Sequence, residues 1–229
     1  MQVQNKPQIK PDTAIAQNHC YTLPFSEVYN EDCIEVMKRY PDKYFDLAVV
    51  DPPYGSFNGT IERTGGSWSK KYQRDNSIKD WDFVPTDEYF NELFRVSKNQ
   101  IIWGGNYFDL PPSKHFLIWE KLSISESFSM AMCEYAWSSI NDNAKLFKHR
   151  PQRENGIHPT QKPVKLYDWI FNKYATEGMK ILDTHLGSAS SRISANKFKL
   201  NFVGCEIDTK YFNDGNKRYA DFISQTRLF

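Results

Sequence analysis

The feature that most constrains this chain is the apolar run Phe45-Asp46-Leu47-Ala48-Val49-Val50, which stops against Asp51-Pro52-Pro53-Tyr54. A β-branched segment bounded by Asp42 before it and two prolines after it reads as a short buried strand with an abrupt end. Pro52 and Pro53 have no backbone N–H to donate to a ladder, and their fixed φ leaves rigid carbonyls beside a carboxylate and a phenol. Together Asp51 and the Pro52 carbonyl can hold an exocyclic amine by its two hydrogens. Tyr54 can lie against the ring that bears the amine, as an extruded base requires. Asp-Pro-Pro also opens ordinary turns, and these four residues alone favour that reading. Their strand context and two downstream segments alter the balance.

Upstream, Glu27-Val28-Tyr29-Asn30 reads as a strand, and Ile34, Met37 and Tyr40 recur at helical spacing over 33–40. This strand-helix-strand unit predicts a right-handed parallel crossover into Asp51. Asp32 and Asp51 then share the rim outside the carboxyl ends of the strands, where open parallel sheets gather ligands. Further on, Thr86 is a predicted N-cap for a helix over 87–97 with Tyr89, Phe90, Leu93, Phe94 and Val96 on its buried stripe. Strands are predicted at 100–103, 115–120 and 133–138. Pro163 opens a helix whose buried face carries Leu166, Tyr167, Ile170, Phe171 and Tyr174, and Gly178 closes it.

Two segments have no regular periodicity. Residues 55–81 form a long Gly-rich loop with Arg63, Lys70, Lys71, Arg74 and Lys79 against Glu62, Asp75 and Asp80, interleaved with Phe57, Trp68 and Tyr72. Basic and aromatic side chains in one loop suit a nucleic-acid lid, and a solvated loop suits the same residues equally well. Between Asn141 and Ile157 no regular element is predicted. Lys145, Lys148, Arg150, Arg153, Lys162 and Lys165 face only Glu154 over 145–165, which makes this the strongest local signal for a polyanion on a chain whose net charge is only +1.

Composition sets the outer bounds. With 229 residues, 40% hydrophobic and 25% charged, the chain suits one large soluble globular domain. We expect that domain to span 25–229 behind a mobile tail at 1–24. Cys20, Cys33, Cys133 and Cys205 are scattered, with no Cys-x-x-Cys pair and no His at ligand spacing, which favours a reduced cytoplasmic protein without a metal. No apolar run approaches the length of a membrane span, and 1–17 has no signal-peptide core.

A second strand-turn-helix unit begins at Met179. The strand ends at Asp183, the small-residue turn His185-Leu186-Gly187-Ser188-Ala189-Ser190 leads into a helix, and Glu206 follows a further strand. That order fits nucleotide binding, with close backbone approach at the turn and a later acid on ribose hydroxyls, and a purely structural turn fits it as well. Without a G-x-G-x-x-G string or a Walker lysine, dinucleotide and nucleoside-triphosphate readings weaken.

Asp51-Pro52-Pro53-Tyr54, His158-Pro159-Thr160-Gln161-Lys162-Pro163 and Leu182-Asp183-Thr184-His185-Leu186-Gly187-Ser188, in this order, resemble the amino-group DNA methyltransferases of the permuted β class. The resemblance runs from about residue 26 to about residue 222. It implies a doubly wound, mostly parallel, seven-stranded α/β sheet, circularly permuted, with one antiparallel strand. It also implies S-adenosylmethionine as cofactor and DNA as substrate. Asp51, Pro52, Pro53 and Tyr54 become the catalytic residues. Asp183, Leu186, Gly187, Ser188 and Ser190 would border the cofactor, Glu206 with Ile207 its ribose, and Asp32 with Cys33 its adenine. His158, Thr160, Gln161 and Lys162 would lie by its methionine end, with Asp51 facing the donor. Arg63, Lys70, Lys71, Arg74, Lys145, Lys148, Arg150 and Arg153 are the candidate phosphate contacts.

Three positions depart from the family pattern. Thr184 and His185 stand where it has Pro and an aromatic, and Ala189 where it has a second glycine. Asp at position 51 favours adenine N6 over cytosine N4, for which the family more often carries Ser. Cytosine N4 is the second reading, and a nucleic-acid-binding module that has lost its cofactor is the third. A homodimer and a cognate restriction endonuclease are the partners expected besides DNA, with no membrane.

Overall fold

The computed structural model describes residues 24–55, 83–127, 131–151, 157–158 and 160–226. The predicted tail at 1–24 falls almost wholly outside them, as do most of the 55–81 loop and the candidates Arg63, Lys70, Lys71, Arg74 and Arg153.

In chain order the elements are β1 (Ser26–Tyr29), α1 (Cys33–Met37), β2 (Phe45–Val50), α2 (Asp87–Val96), β3 (Ser97–Trp103), β4 (Phe116–Lys121), β5 (Cys133–Ser138) and β6 (Lys145–His149). They continue with α3 (Val164–Tyr174), β7 (Lys180–Asp183), α4 (Ser190–Lys197), β8 (Asn201–Cys205) and α5 (Thr209–Thr226). The strands form one sheet in the order β1-β8-β7-β2-β3-β5-β4-β6. Only β5 runs against the rest: it is antiparallel to β3 and β4, while β6 is parallel to β4 and the other pairings are parallel.

Among the described residues the sheet therefore has eight strands, not the seven expected, and the additional one is β6. Its residues alternate, with Phe147 packed on Trp169 at 5.2 Å on one side and Leu146, 51% exposed, on the other. An apolar residue on the solvent face and a lysine on each side of the Leu-Phe pair erase the pattern that marks a strand. Lysines suit this place because β6 is an edge.

Alternation along the central strands assigns the two layers. Leu47, Val49, Ile101 and Trp103 point toward α3, where Leu166, Ile170 and Phe171 meet them. Ala48, Val50, Ile102 and Leu182 point the other way, toward Val36 and Met37 of α1 and Tyr89, Leu93 and Val96 of α2. Apolar stripes at helical spacing thus cover both faces of a sheet whose central strands are buried on both sides. Two boundaries differ from expectation, since α1 stops at Met37 and Gly178 lies beyond the α3 cap at Ala175, whereas Thr86 is the N-cap of α2 as expected, without a side-chain hydrogen bond.

Candidate active site

The two central strands β7 and β2 are hydrogen-bonded neighbours, with Leu47 opposite Ile181 and Ala48 opposite Leu182. Running in parallel, they bring the Asp183 turn and the Asp51-Pro52-Pro53-Tyr54 segment out at the same end of the sheet. A cavity of about 310 Å³ opens there, at the lower end of the size range for small-molecule sites.

Asp51, Pro52, Pro53 and Tyr54 all line it. So do Asp32, Cys33, His158, Thr160, Gln161, Lys162, Leu186, Gly187, Ser188, Ser190, Glu206 and Ile207, gathered from four separate parts of the chain. Asp183 is the exception among the cofactor candidates: it lies beneath the lining, 2% exposed. There it accepts hydrogen bonds from the His185 N–H at 3.1 Å and from the Ser191 hydroxyl. Burial pushes its carboxyl up to about 7. Its place is to hold the turn from below.

Asp51 and Tyr54 are fixed against each other. The Tyr54 hydroxyl donates to Asp51 Oδ1 at 2.7 Å, and Lys162 Nζ donates to Asp51 Oδ2. Gly104, at φ +68, lets the Tyr54 ring pass: a Cβ there would sit 2.2 Å from Tyr54 Cε1. Tyr107, half exposed, stacks on Tyr54 with ring centres 4.9 Å apart and planes 21° apart. In the sequence, Gly104 and Gly105 at a strand end suit a tight turn or a close approach of backbone to a ligand, the turn being preferred, and Tyr107 has no signal of its own.

Across the cavity, Gly187 at φ +49 turns the chain into α4, and its N–H donates to Glu206 Oε2 at 2.8 Å. Glu206 Oε1 takes the Asp208 N–H at 3.0 Å, and burial raises this carboxyl above its ordinary value. Asp32 caps α1 through one oxygen, which accepts the Ile34 N–H at 2.8 Å. His158 lies over the turn, its ring 4.4 Å from that of Tyr211, and burial lowers its pKa to about 3.

The three departures have structural counterparts. Ala189 adopts φ +60 and ψ 24, the left-handed conformation that suits the glycine it replaces. Thr184 Oγ1 lies 2.7 Å from the Tyr89 hydroxyl and 2.9 Å from His185 Nδ1, and the His185 ring meets Tyr89 edge-on at 5.4 Å. His185 thus supplies an aromatic surface, neutral because burial lowers its pKa to about 4. Sequence reasoning missed Tyr89 and Tyr167 as cavity residues because both sit on helical core stripes. It also missed Arg218 of α5, which donates to the Ser188 carbonyl at 2.7 Å and to Ser190 Oγ at 2.8 Å.

The basic cluster over 145–165 is less available than its charge count suggests. Lys145 pairs with Asp142 at 3.2 Å and Lys148 with Glu120 at 2.9 Å, while Lys162 is only 5% exposed. Acids outside the counted window supply these partners.

A family model described as DNA methylase, for N6 and N4 methyltransferases, matches residues 102–217, half of the chain. This protein belongs to the DNA methylase family. The match takes in the His158 to Lys162 segment and the Gly187 turn and begins after Asp51, so the Asp51-Pro52-Pro53-Tyr54 segment lies outside it. Relatives of this DNA methylase include the type II methyltransferases M2.DpnII of Streptococcus pneumoniae and M2.MboI of Moraxella bovis. They are 24% and 23% identical, across 82% and 85% of this chain and 87% of each relative. Among solved structures, the M1.HpyAVI complex with SAM aligns over 85% of this chain and 98% of its own, at TM-score 0.54 and 18% identity. The cytosine-N4-specific PvuII DNA methyltransferase aligns over 89% and 94%, at TM-score 0.58 and 12% identity. Both likenesses show the fold. No helix among the described residues of this methylase is long and apolar enough to cross a membrane. Nor do those residues contain a His, Cys, Asp and Glu group able to hold a metal ion.

Proposed function

We propose that this DNA methyltransferase uses S-adenosylmethionine to methylate the exocyclic N6 of adenine in DNA, on a base turned out of the duplex. The observation that carries the reading is the single cavity that Asp51 and Gly187 both line. Its residues fit the cofactor: buried Glu206 suits ribose hydroxyls, Leu186 and Ile207 give apolar walls to an adenosine, and Asp32 with Cys33 border the adenine end. When bound, the cofactor supplies an electrophilic methyl on a sulfonium.

An aromatic amine is a poor nucleophile because its lone pair is delocalised into the ring. Asp51 and the Pro52 carbonyl accept its two N–H groups and draw them from the ring plane, which localises the lone pair. Tyr54, fixed by Asp51 and Gly104 and stacked on by Tyr107, gives the base an aromatic neighbour. Positioning and electrostatic complementarity supply the rate, and Asp51 need not be a strong base, since the amine proton becomes acidic once nitrogen is alkylated.

Aspartate at position 51 favours adenine over cytosine. Target reading falls to the 55–81 loop and to 140–157, with Lys145, Lys148 and Arg150 steering the phosphates. Kinship with type II methyltransferases supports a cytoplasmic role beside a restriction endonuclease, with a homodimer as the alternative to a monomer. Asp51→Ala is expected to abolish methyl transfer to unmethylated genomic DNA while calorimetric binding of S-adenosylmethionine stays nearly intact. Full activity in that variant would refute the assignment, and digestion of the product to nucleosides separates N6-methyladenine from N4-methylcytosine.

A further inference from the structure

We infer that Glu134, on the reversed strand β5, is a positioning residue for methyl transfer, acting on Asp51 through the buried ammonium of Lys162. The inference rests on the methyl-transfer reading above. Lys162 Nζ is nearly out of solvent and has two carboxylate neighbours, Asp51 Oδ2 and, at 3.2 Å, Glu134 Oε2. A buried ammonium is tolerated only with such partners. The other Glu134 oxygen is held by Lys121 Nζ at 2.6 Å. Trp103 lies beside Lys162, 5.5 Å from Nζ to ring centre, where a cation over the aromatic face is favourable.

The result is a row of alternating charge, Lys121, Glu134, Lys162 and Asp51, with no net charge. It ends at the carboxylate that is to accept the target amine. With Tyr54 on Oδ1 and Lys162 on Oδ2, the Asp51 carboxylate is pinned at both oxygens and cannot rotate. Glu134 regulates the grip. By sharing the ammonium it keeps Lys162 from drawing all of its charge complement from Asp51, and so leaves Asp51 a better acceptor. Lys162 is thereby committed to Asp51 and Glu134, a different task from anchoring the cofactor carboxylate.

The row makes a charge-balance prediction that a purely structural role does not. Lys162→Met leaves two carboxylates facing each other without their shared cation, and Glu134→Gln in the same chain removes the excess negative charge. The experiment measures single-turnover transfer of labelled methyl from S-adenosylmethionine to unmethylated genomic DNA, with cofactor affinity by calorimetry. It compares the native chain, Glu134→Gln, Lys162→Met and the double variant.

Glu134→Gln should slow transfer about tenfold with cofactor affinity within about twofold of native, a rate effect without a binding effect. Lys162→Met should slow it about a hundredfold or more, and the double variant should recover about tenfold of that loss, a non-additive coupling. Native rates in Glu134→Gln, or a double variant no faster than Lys162→Met, would overturn the inference. So would a Lys162→Met chain whose affinity for the cofactor falls by about thirtyfold or more while its rate at saturation stays native, since that marks a ligand of the cofactor. If Lys162→Met does not fold, the isosteric Glu134→Gln decides alone, Glu134 being 27% exposed. A native chain that binds the cofactor and methylates no DNA would fail the methyl-transfer reading itself, and this inference with it.

Discussion

Replacing Asp183 with Asn should flatten the fall in stability that the native chain suffers between mild acid and neutral pH. Asp183 is 2% exposed, and burial moves its carboxyl from 3.8 to about 7 in the fold. Because the folded pKa is the higher one, the folded state holds the proton more tightly than the unfolded chain. The stability from this group is fully present below pH 3.8, declines as pH rises, and is gone above about pH 7. Two pH units between 5 and 7, at about 1.4 kcal/mol each, amount to about 3 kcal/mol. Asn keeps the geometry: its carbonyl can accept the His185 N–H, and its amide can donate to Ser191 Oγ. His158 and His185 work in the opposite sense. Both are lowered by burial, so their contribution is present above pH 6.5 and lost as pH falls. They remain in the variant and cancel in the difference. Urea unfolding of both proteins from pH 5 to 8 is the assay, and the variant should gain about 3 kcal/mol relative to native across that range. Parallel pH curves would show that Asp183 ionises in the fold as it does in the unfolded chain, and would refute the reasoning.

Gly104→Ala should cost about a hundredfold in single-turnover methyl transfer with cofactor affinity retained, because its Cβ would lie 2.2 Å from Tyr54 Cε1 and must push the ring aside. Native activity in this variant would mean that Tyr54 need not be held in place. Ala189→Gly removes a left-handed φ of +60 worth about 1 kcal/mol, against a lost buried methyl of about 0.8 kcal/mol and added unfolded-state entropy. Its unfolding free energy should therefore stay within about 1 kcal/mol of native, and a change beyond about 2 kcal/mol in either direction would show that one of these opposing effects is misjudged.

What the sequence made legible was whatever a local pattern can carry. The Phe45–Val50 strand, the helical stripe from Tyr89 to Val96 and the Gly187 turn each announce themselves within a dozen residues. Residues that act by coming together from afar do not. Glu134 alternates with Cys133 and Tyr135 as an ordinary strand residue, and only the placement of β5 beside β3 and β4 brings its carboxylate to Lys162. In the sequence Lys162 counts toward a basic cluster and, by resemblance, toward the cofactor's methionine end; charge counting along a chain omits the partners that arrive from other strands, Asp51 and Glu134. Strand β6 escaped for the reverse reason: its edge position lets Leu146 face solvent, so the alternation that defines it carries no hydrophobic contrast.

Strand order explains why the cavity lies where it does. From β7 the chain passes through α4 to β8 on one side, and from β2 through α2 to β3 on the other, so successive crossovers leave the β7–β2 pair in opposite directions. Open α/β sheets bind ligands at such a divide, outside the carboxyl ends of the strands. Asp51 ends one of these strands and Asp183 the other. Their juxtaposition depends on the pairing of β2 with β7 and not on which strand comes first in the chain. A chain that begins at β1 and reaches β7 only after β6 therefore builds the same facing pair, the Asp51-Pro52-Pro53-Tyr54 segment on one lip and the Gly187–Glu206 turn on the other, as a chain joined in a different order would.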